Sequence, residues 1–405
     1  MPRRAFHNTT AILPDRLLDN AVVVIDGDRI VDITTGEAPA DAECIDVRGV
    51  GGAYVAPGFI DLHVHGGADA DFMDGTPDAF LTVCQSHARH GTTSLTPTST
   101  VANHDQTMRF LELCRRFVHE PTGGARVLGG HLYGPYFAAE ARGCHPSVGL
   151  RPPTPADYEP FLAFAGDGLL TATVAPELPG AEAFVRACRA RGLCCNAGHS
   201  FATFDQMSAA VEWGVRHVDH LFCAMSDRAR LRQTQAYPMR GGVMEATLFF
   251  DQLTTEVIAD GKHLTAELLK LAYKIKGADR LALVTDAMRA LDMPDGQYIF
   301  GPRDGGEPVL RRDGVGVTLD GKSLASGVTG LDHAVRTFHY LTGVPLPQVI
   351  KMASLTPARI LGADRDIGSL VTGRRADLVL LDASLSVRQV YVGGQIIVPP
   401  ATQRA

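Results

Sequence analysis

The chain has 405 residues, 45% apolar and 20% charged, enough for one large domain with a small accessory one. Its net charge of −7 argues against a nucleic-acid surface. No apolar stretch approaches the ~18 residues of a membrane span, and Met1-Pro2-Arg3-Arg4 is not followed by the apolar core of a signal peptide.

The first segment reads as a small β-unit: Ala21–Ile25 is an apolar run, Asp26-Gly27 a hairpin-type turn, and Arg29–Ile33 alternates. The last segment repeats this grammar, with the run Asp377–Leu381, then Val387–Val392 and Gln395–Val398 around Gly393-Gly394. Two such short units are marginal alone, so they are expected to pair into one β-sandwich domain, residues 1–56 with 369–405.

Residues 57–368 alternate short apolar runs with helical patterns, which predicts an α/β fold with a parallel sheet. Strands are expected to end near Asp61-Leu62, Thr96, His131, Val174, Cys195, Asp219, Ala259 and Thr285. Helices are expected over Asp78–His90, Gln106–Phe117, Ala181–Arg191, Phe204–Trp213, Ala266–Lys274, Val328–Leu341 and Leu346–Ala353. Eight strands, each followed by a helix, make a (β/α)8 TIM barrel the economical solution. An open doubly wound sheet lacks support, since no GxGxxG loop follows a strand. Pro294–Gly321, rich in Gly and Pro, reads as a hairpin or flap after strand eight. Cys84, Cys114, Cys188, Cys194 and Cys195 lie inside apolar patterns, so the eight cysteines read as reduced thiols in a cytoplasmic enzyme.

The polar residues at the strand ends carry the chemistry. His63 and His65, two apart on a strand, face one side. His199 follows strand five, His220 ends strand six and Asp286 ends strand eight. These are metal-competent groups at the C-terminal strand ends, where barrel active sites are built. A single strand-end histidine is ordinarily a structural residue, but coincidence across four histidines and an aspartate is not expected. Imidazole and carboxylate suit zinc, with iron or manganese as alternatives, and a catalytic site keeps one position open for water.

Pro57-Gly58-Phe59-Ile60-Asp61-Leu62-His63-Val64-His65-Gly66-Gly67 resembles the opening motif of the amidohydrolase superfamily. Thr173–Glu177, Ala197–Ser200, Asp260–His263, Leu283–Ala287 and Ala353–Arg359 narrow the resemblance to N-acetylglucosamine-6-phosphate deacetylases. Ile367-Gly368-Ser369-Leu370, Gly373 and Ala376–Val379 extend it over nearly the whole chain. The resemblance implies the barrel, a β-sandwich of both chain ends, amide hydrolysis in amino sugar metabolism, a divalent metal and a homodimer. By it, His199 and His220 are metal ligands, and His63 and His65 hold a metal in members that keep this pair. Asp286 is both ligand and general base, and His145 and His263 contact substrate.

Two departures stand out. The family's His-Leu-Glu-Gly-Pro, whose glutamate binds metal, is here His131-Leu132-Tyr133-Gly134-Pro135. A phenol with a pKa near 10 is a poor zinc ligand, so one zinc per chain is expected, with Tyr133 either donating to substrate or packed as an aromatic. The family's Asn-Ala-Met, whose backbone cradles the sugar phosphate, is Cys223-Ala224-Met225, followed by arginines instead of Arg-Glu-Pro-Gly. Ala224 keeps the cradle position, while Arg228 and Arg232 are candidates for an anionic substrate group. Three readings stay open: a deacetylase of an N-acetyl amino sugar phosphate; a mononuclear hydrolase of another amide, lactone or amino-heterocycle; and a non-catalytic sugar-phosphate binder.

Overall fold

A computed structural model describes residues 3–234 and 238–398. Parallel strands lie at Phe59–Val64, Thr92–Pro97, Leu169–Val174, Cys194–Ala197, His217–Val218, Thr254–Ile258 and Leu281–Val284. The third position is split into Arg126–Val127, which pairs with Thr92–Pro97, and Gly130–Leu132, which pairs with Leu169–Val174. Each strand pairs in parallel with its neighbours in sequence, within a three-stranded and a six-stranded sheet. Single parallel bridges, Thr98 with His131 and Val64 with Ala287, join those sheets on both sides, so the strand order returns to its start. This is a parallel βα barrel. Its first two strands are buried at every residue, which is why they read as unbroken runs rather than alternating ones.

The expected helices form between the strands, with starts set by local chemistry. Thr76 caps Pro77–Arg89, while Asn103–Gln106 and Thr203–Gln206 form capping boxes for His104–His119 and Phe204–Trp213. Pro155–Leu162, Val243–Phe249 and Leu355–Ile360 are also helical and were not expected. At six to eight residues they are too short to show a helical period, and the first contains Pro160. The segment after strand eight is more than a hairpin. Gly296–Phe300, Glu307–Arg312 and Val315–Thr318 form an antiparallel sheet. Arg289, fully buried, anchors it by donating to the carbonyls of Asp69, Ile299 and Gly301 and to the carboxylate of Asp74.

Both chain ends meet in one eight-stranded sheet. Tyr54–Pro57 lies at its centre, parallel to Arg4–Ile12 on one side and antiparallel to Leu378–Leu381 on the other. Alternation sorts its side chains: Phe6, Val23, Ile25, Leu378 and Tyr391 form one apolar cluster, and Ala5, Val22 and Val24 a second. No helix among the described residues is long and apolar enough to cross a membrane. All eight cysteines are free thiols; Cys84, Cys114, Cys188 and Cys195 are buried, and Cys194 is half-buried.

His90, at the end of the first barrel helix, bridges two carboxylates, with 2.9 Å from Nδ1 to Asp332 and 2.9 Å from Nε2 to Asp292. Burial disfavours its charge, but Asp292 and Asp332 outweigh burial and raise its pKa to about 9. Because the folded value lies above the unfolded one (about 6.5), this stabilisation is complete below that value and is lost as pH rises through 9. Urea unfolding of His90→Gln is therefore expected to show a flatter pH profile between pH 6.5 and 9 than the parent. Identical slopes would remove His90 as the source.

Candidate active site

The site begins at the seam between the first and eighth barrel strands. Asp286 N–H donates to His63 O at 2.9 Å, and the N–H groups of His65 and Gly66 both donate to Ala287 O at 2.9 Å. Below this, Asp61 is fully buried and its carboxylate accepts from Thr285 Oγ1 at 2.6 Å and from the backbone N–H groups of Thr285 and His63 at 3.3 Å. Burial pushes Asp61 up to about 7, partly offset by those donors. Gly66 is required by close approach, since a Cβ there would sit 2.4 Å from Ala70 O and 2.7 Å from Arg289 N.

This seam sets His63 and His65 facing Asp286. Asp286 Oδ1 lies 3.6 Å from His63 Nε2 and 3.2 Å from His65 Nε2, and all three residues are buried. The other ring nitrogens are engaged: His63 Nδ1 with Glu256 Oε1 at 2.6 Å, and His65 Nδ1 with Thr98 O at 3.2 Å. Those oxygens can only accept, so each Nδ1 carries the hydrogen and each Nε2 is turned toward Asp286. His63 Nε2 is buried with no hydrogen-bond partner. Two ligands held tetrahedrally at about 2.0–2.1 Å from zinc stand about 3.3 Å apart, so this donor set fits a divalent cation. Burial disfavours charge on His63, yet Glu256 and Asp286 prevail and lift it to about 9. Burial likewise opposes ionisation of Asp286, but His63, His65 and His220 hold its carboxyl well below the usual range.

A second group faces the first. His199 Nδ1 donates to Ala141 O at 2.7 Å, which turns its Nε2 to within 3.2 Å of His220 Nε2. Tyr133 Oη stands 2.5 Å from the same His220 nitrogen, and its ring packs edge-on to Phe137 with centroids 4.8 Å apart. Burial raises the Tyr133 hydroxyl well above its ordinary value and lowers His220 to about 4, so a phenol donates to a neutral imidazole. Tyr133 is thus both packed and hydrogen-bonded. Backbone φ is 45° at His199, 23° at His220, 46° at Asp286 and 46° at Ala224. Side chains rarely adopt this left-handed region, which costs of order 1–3 kcal/mol each and clusters at functional sites.

Above these groups opens a cavity of about 570 Å³, in the range of small-molecule sites. Its walls include His65, Tyr133, His145, His199, His220, Ala224, His263 and Asp286. Phe300 and the loop carrying Ser323, Leu324 and Ser326 close one side. His263 is held by Asp260, Nδ1 to Oδ2 at 2.8 Å. Arg228 and Arg232, expected at an anion site, are not among the lining residues. They stand four apart on one face of a single helical turn, and both reach the sulfur of Met239, at 3.9 and 3.8 Å. Arg230, on the other face, lines the cavity instead and donates to Met225 O; Arg142 lines it from the loop after strand three. Glu256 and Asp61 escaped the sequence reading, although each is the one charged residue inside its strand.

The amidohydrolase family pattern matches residues 54–397, most of the chain. The chain belongs to the amidohydrolase family. It is 36% identical over 346 residues to N-acetylgalactosamine-6-phosphate deacetylase of Escherichia coli O157:H7, covering 84% of this chain and 87% of the relative. It is 32% identical over 384 residues to N-acetylglucosamine-6-phosphate deacetylase of Vibrio furnissii, covering 95% and 92%. Among solved structures, a mutant of the Mycobacterium smegmatis N-acetylglucosamine-6-phosphate deacetylase in complex with N-acetylglucosamine-6-phosphate superimposes with a TM-score of 0.89. It shares 29% identity, over 98% of this chain and 100% of that one. Membership implies a divalent metal, which the donor set of this amidohydrolase fits.

The seam gives a stability prediction. Asp61→Ala leaves the Thr285 hydroxyl and two backbone N–H groups without their acceptor, and is expected to cost about 1–3 kcal/mol. The urea midpoint of the purified variant measures this, and an unshifted midpoint contradicts the role given to Asp61.

Proposed function

We propose that this amidohydrolase deacetylates an N-acetyl amino sugar phosphate, using water activated at a divalent metal. One observation carries the reading: His63 Nε2, His65 Nε2 and Asp286 Oδ1 converge beside a cavity that can hold such a substrate. The catalytic unit is assigned to residues 57–368, and a β-sandwich domain to 1–56 with 369–405. We assign it as a cytoplasmic homodimer acting on a small anionic sugar derivative, without nucleic-acid or membrane partners.

His63, His65 and Asp286 would hold the cation, with His199, and His220 once Tyr133 releases its Nε2, as further imidazole donors on the opposite wall. One zinc per chain suits this set, iron and manganese being the alternatives, and it would supply Lewis acidity toward the amide carbonyl and acidify water. Asp286, ionised at neutral pH, takes the proton from the attacking water and passes it to the departing nitrogen. The C–N bond breaks to give acetate and the free amine. His145 accepts from Val101 N–H through Nδ1 at 3.4 Å and is kept neutral by burial, so its Nε2–H is a donor for the carbonyl oxygen. The Tyr133 hydroxyl, which donates to His220 Nε2, would be the second such donor on exchanging that bond for the carbonyl oxygen. His263 and the Ala224 backbone orient the sugar, and Arg230 with Arg142 receives the anionic group.

The second reading, a mononuclear hydrolase of another amide, lactone or amino-heterocycle, is favoured by one feature alone: Tyr133 in the glutamate position. Acetate release from the 6-phosphates of N-acetylglucosamine and N-acetylgalactosamine separates the two readings. Failure with both sugars, alongside hydrolysis of a lactone or release of ammonia, would favour the second.

Two variants test the residues. Asp286→Asn is expected to lower acetate release at least 10²-fold, the lower end of what proton transfer typically supplies, while metal analysis still finds the cation. Unchanged turnover removes it as the base. Tyr133→Glu restores a third carboxylate beside His220 and is expected to raise the metal content from about one to about two per chain by elemental analysis. An unchanged stoichiometry contradicts the account of Tyr133.

A further inference from the structure

Glu256 lies in the middle of the seventh barrel strand, Thr254–Ile258, and is 1% exposed. A carboxylate at such a position is costly: taking an ion out of water penalises it by several kcal/mol unless every lone pair finds a donor. Two of its partners are elements of the site. Oε1 accepts from His63 Nδ1 at 2.6 Å and from the backbone N–H of His220 at 3.2 Å. Oε2 stands 3.2 Å from His217 Nε2. His217 is itself clamped, its Nδ1 lying 2.8 Å from the Thr254 hydroxyl. The Glu256 carbonyl also accepts Leu221 N–H at 2.8 Å, tying the loop that carries His220 to strand seven.

From this geometry we infer that Glu256 is a positioning residue, which sets the metal-facing nitrogen of His63 and the placement of His220 with one carboxylate. The inference rests on the metal-site reading above. An imidazole has two nitrogens and a free ring turns; an acceptor fixed on Nδ1 leaves only Nε2 for a cation and raises its basicity. The same oxygen holds the His220 backbone, which sits at a φ of 23° that the chain would otherwise avoid. Glu256 thus couples the His63–His65–Asp286 group to the His199–His220–Tyr133 group from beneath, without touching the cavity. His217 serves as its counterweight on the far side of the carboxylate.

The test is zinc affinity by chelator competition in the full-length protein. Glu256→Gln is expected to weaken zinc binding 10–100-fold, the usual effect of losing an orienting partner, with an altered d–d spectrum for the cobalt-substituted protein. His63→Ala is expected to lose binding outright, because it removes a ligand rather than its orienting partner. Loss in His63→Ala with unchanged affinity and spectrum in Glu256→Gln overturns the Glu256 role alone. Unchanged affinity in His63→Ala overturns the metal-site reading and this inference with it. Should Glu256→Gln not fold, ¹⁵N NMR of the zinc-loaded parent decides: a hydrogen on His63 Nδ1 is expected, and zinc on Nδ1 overturns the role.

Discussion

The barrel closes where its first strand meets its eighth, and that closure brings His63, His65 and Asp286 together. Asp61 and Thr285 stand 224 residues apart in the chain and share a fully buried hydrogen bond. Ordering so long a loop is entropically unfavourable before any contact offsets it. The parallel pairings and packed helices in between supply the compensation, so the seam forms as a consequence of the whole barrel. With the seam in place, backbone bonds from Asp286 to His63 and from His65 and Gly66 to Ala287 leave the three donor groups no freedom to separate. The geometry of the site is therefore a property of closure rather than of any one loop.

Closure also explains how the barrel tolerates so much polarity inside. Asp61, Glu256, Asp219, His63, His131 and His217 are all nearly inaccessible to solvent. An isolated charge there would be neutralised by a shifted pKa. Here each group is met by others: Asp219 accepts from Thr173 Oγ1 at 2.7 Å and from Asn196 Nδ2 at 2.8 Å, and Glu256 is met by two imidazoles and a backbone N–H. Groups bound to one another in this way polarise and strengthen each other's hydrogen bonds, and the bonds to the His220 and Asp286 backbones hold both in conformations that loose loops would leave. Rigidity beneath the site and openness above it are two sides of one arrangement.

How much of this was legible depended on which signal each part leaves in a sequence. The strand ends and long helices were readable because continuous burial and helical periodicity each mark consecutive residues; Phe204–Trp213 and Leu346–Ala353 formed as expected. His63, His65, His199, His220 and Asp286 could be proposed together because all five stand at or just beyond strand ends. Arg228 and Arg232 were misplaced because a loop has no period from which to read direction; one helical turn aims them at Met239 and leaves Arg230 for the cavity. Glu256 was missed for a different reason. A lone carboxylate in an apolar run looks like noise until the residues it meets, 193 positions away for His63, are known.

Tyr133 is best understood through charge. A divalent cation beside His63, His65 and Asp286 would face two carboxylates, Asp286 directly and Glu256 through the His63 ring. The related pattern places a third carboxylate at position 133, enough to help balance a second cation; a phenol carries none at neutral pH, and burial raises its hydroxyl further. The ring occupies the space instead, 4.4 Å from the His63 centroid and 5.3 Å from that of His199, while its hydroxyl takes up the His220 nitrogen a second cation would need. The hydrogen bond from Tyr133 satisfies the His220 nitrogen without a second cation. Under the one-metal proposal the exchange would not leave a damaged two-metal site. It would leave a site in which the Tyr133 hydroxyl, bound to His220 beside the cavity, can transfer its hydrogen bond to the oxygen of a substrate carbonyl.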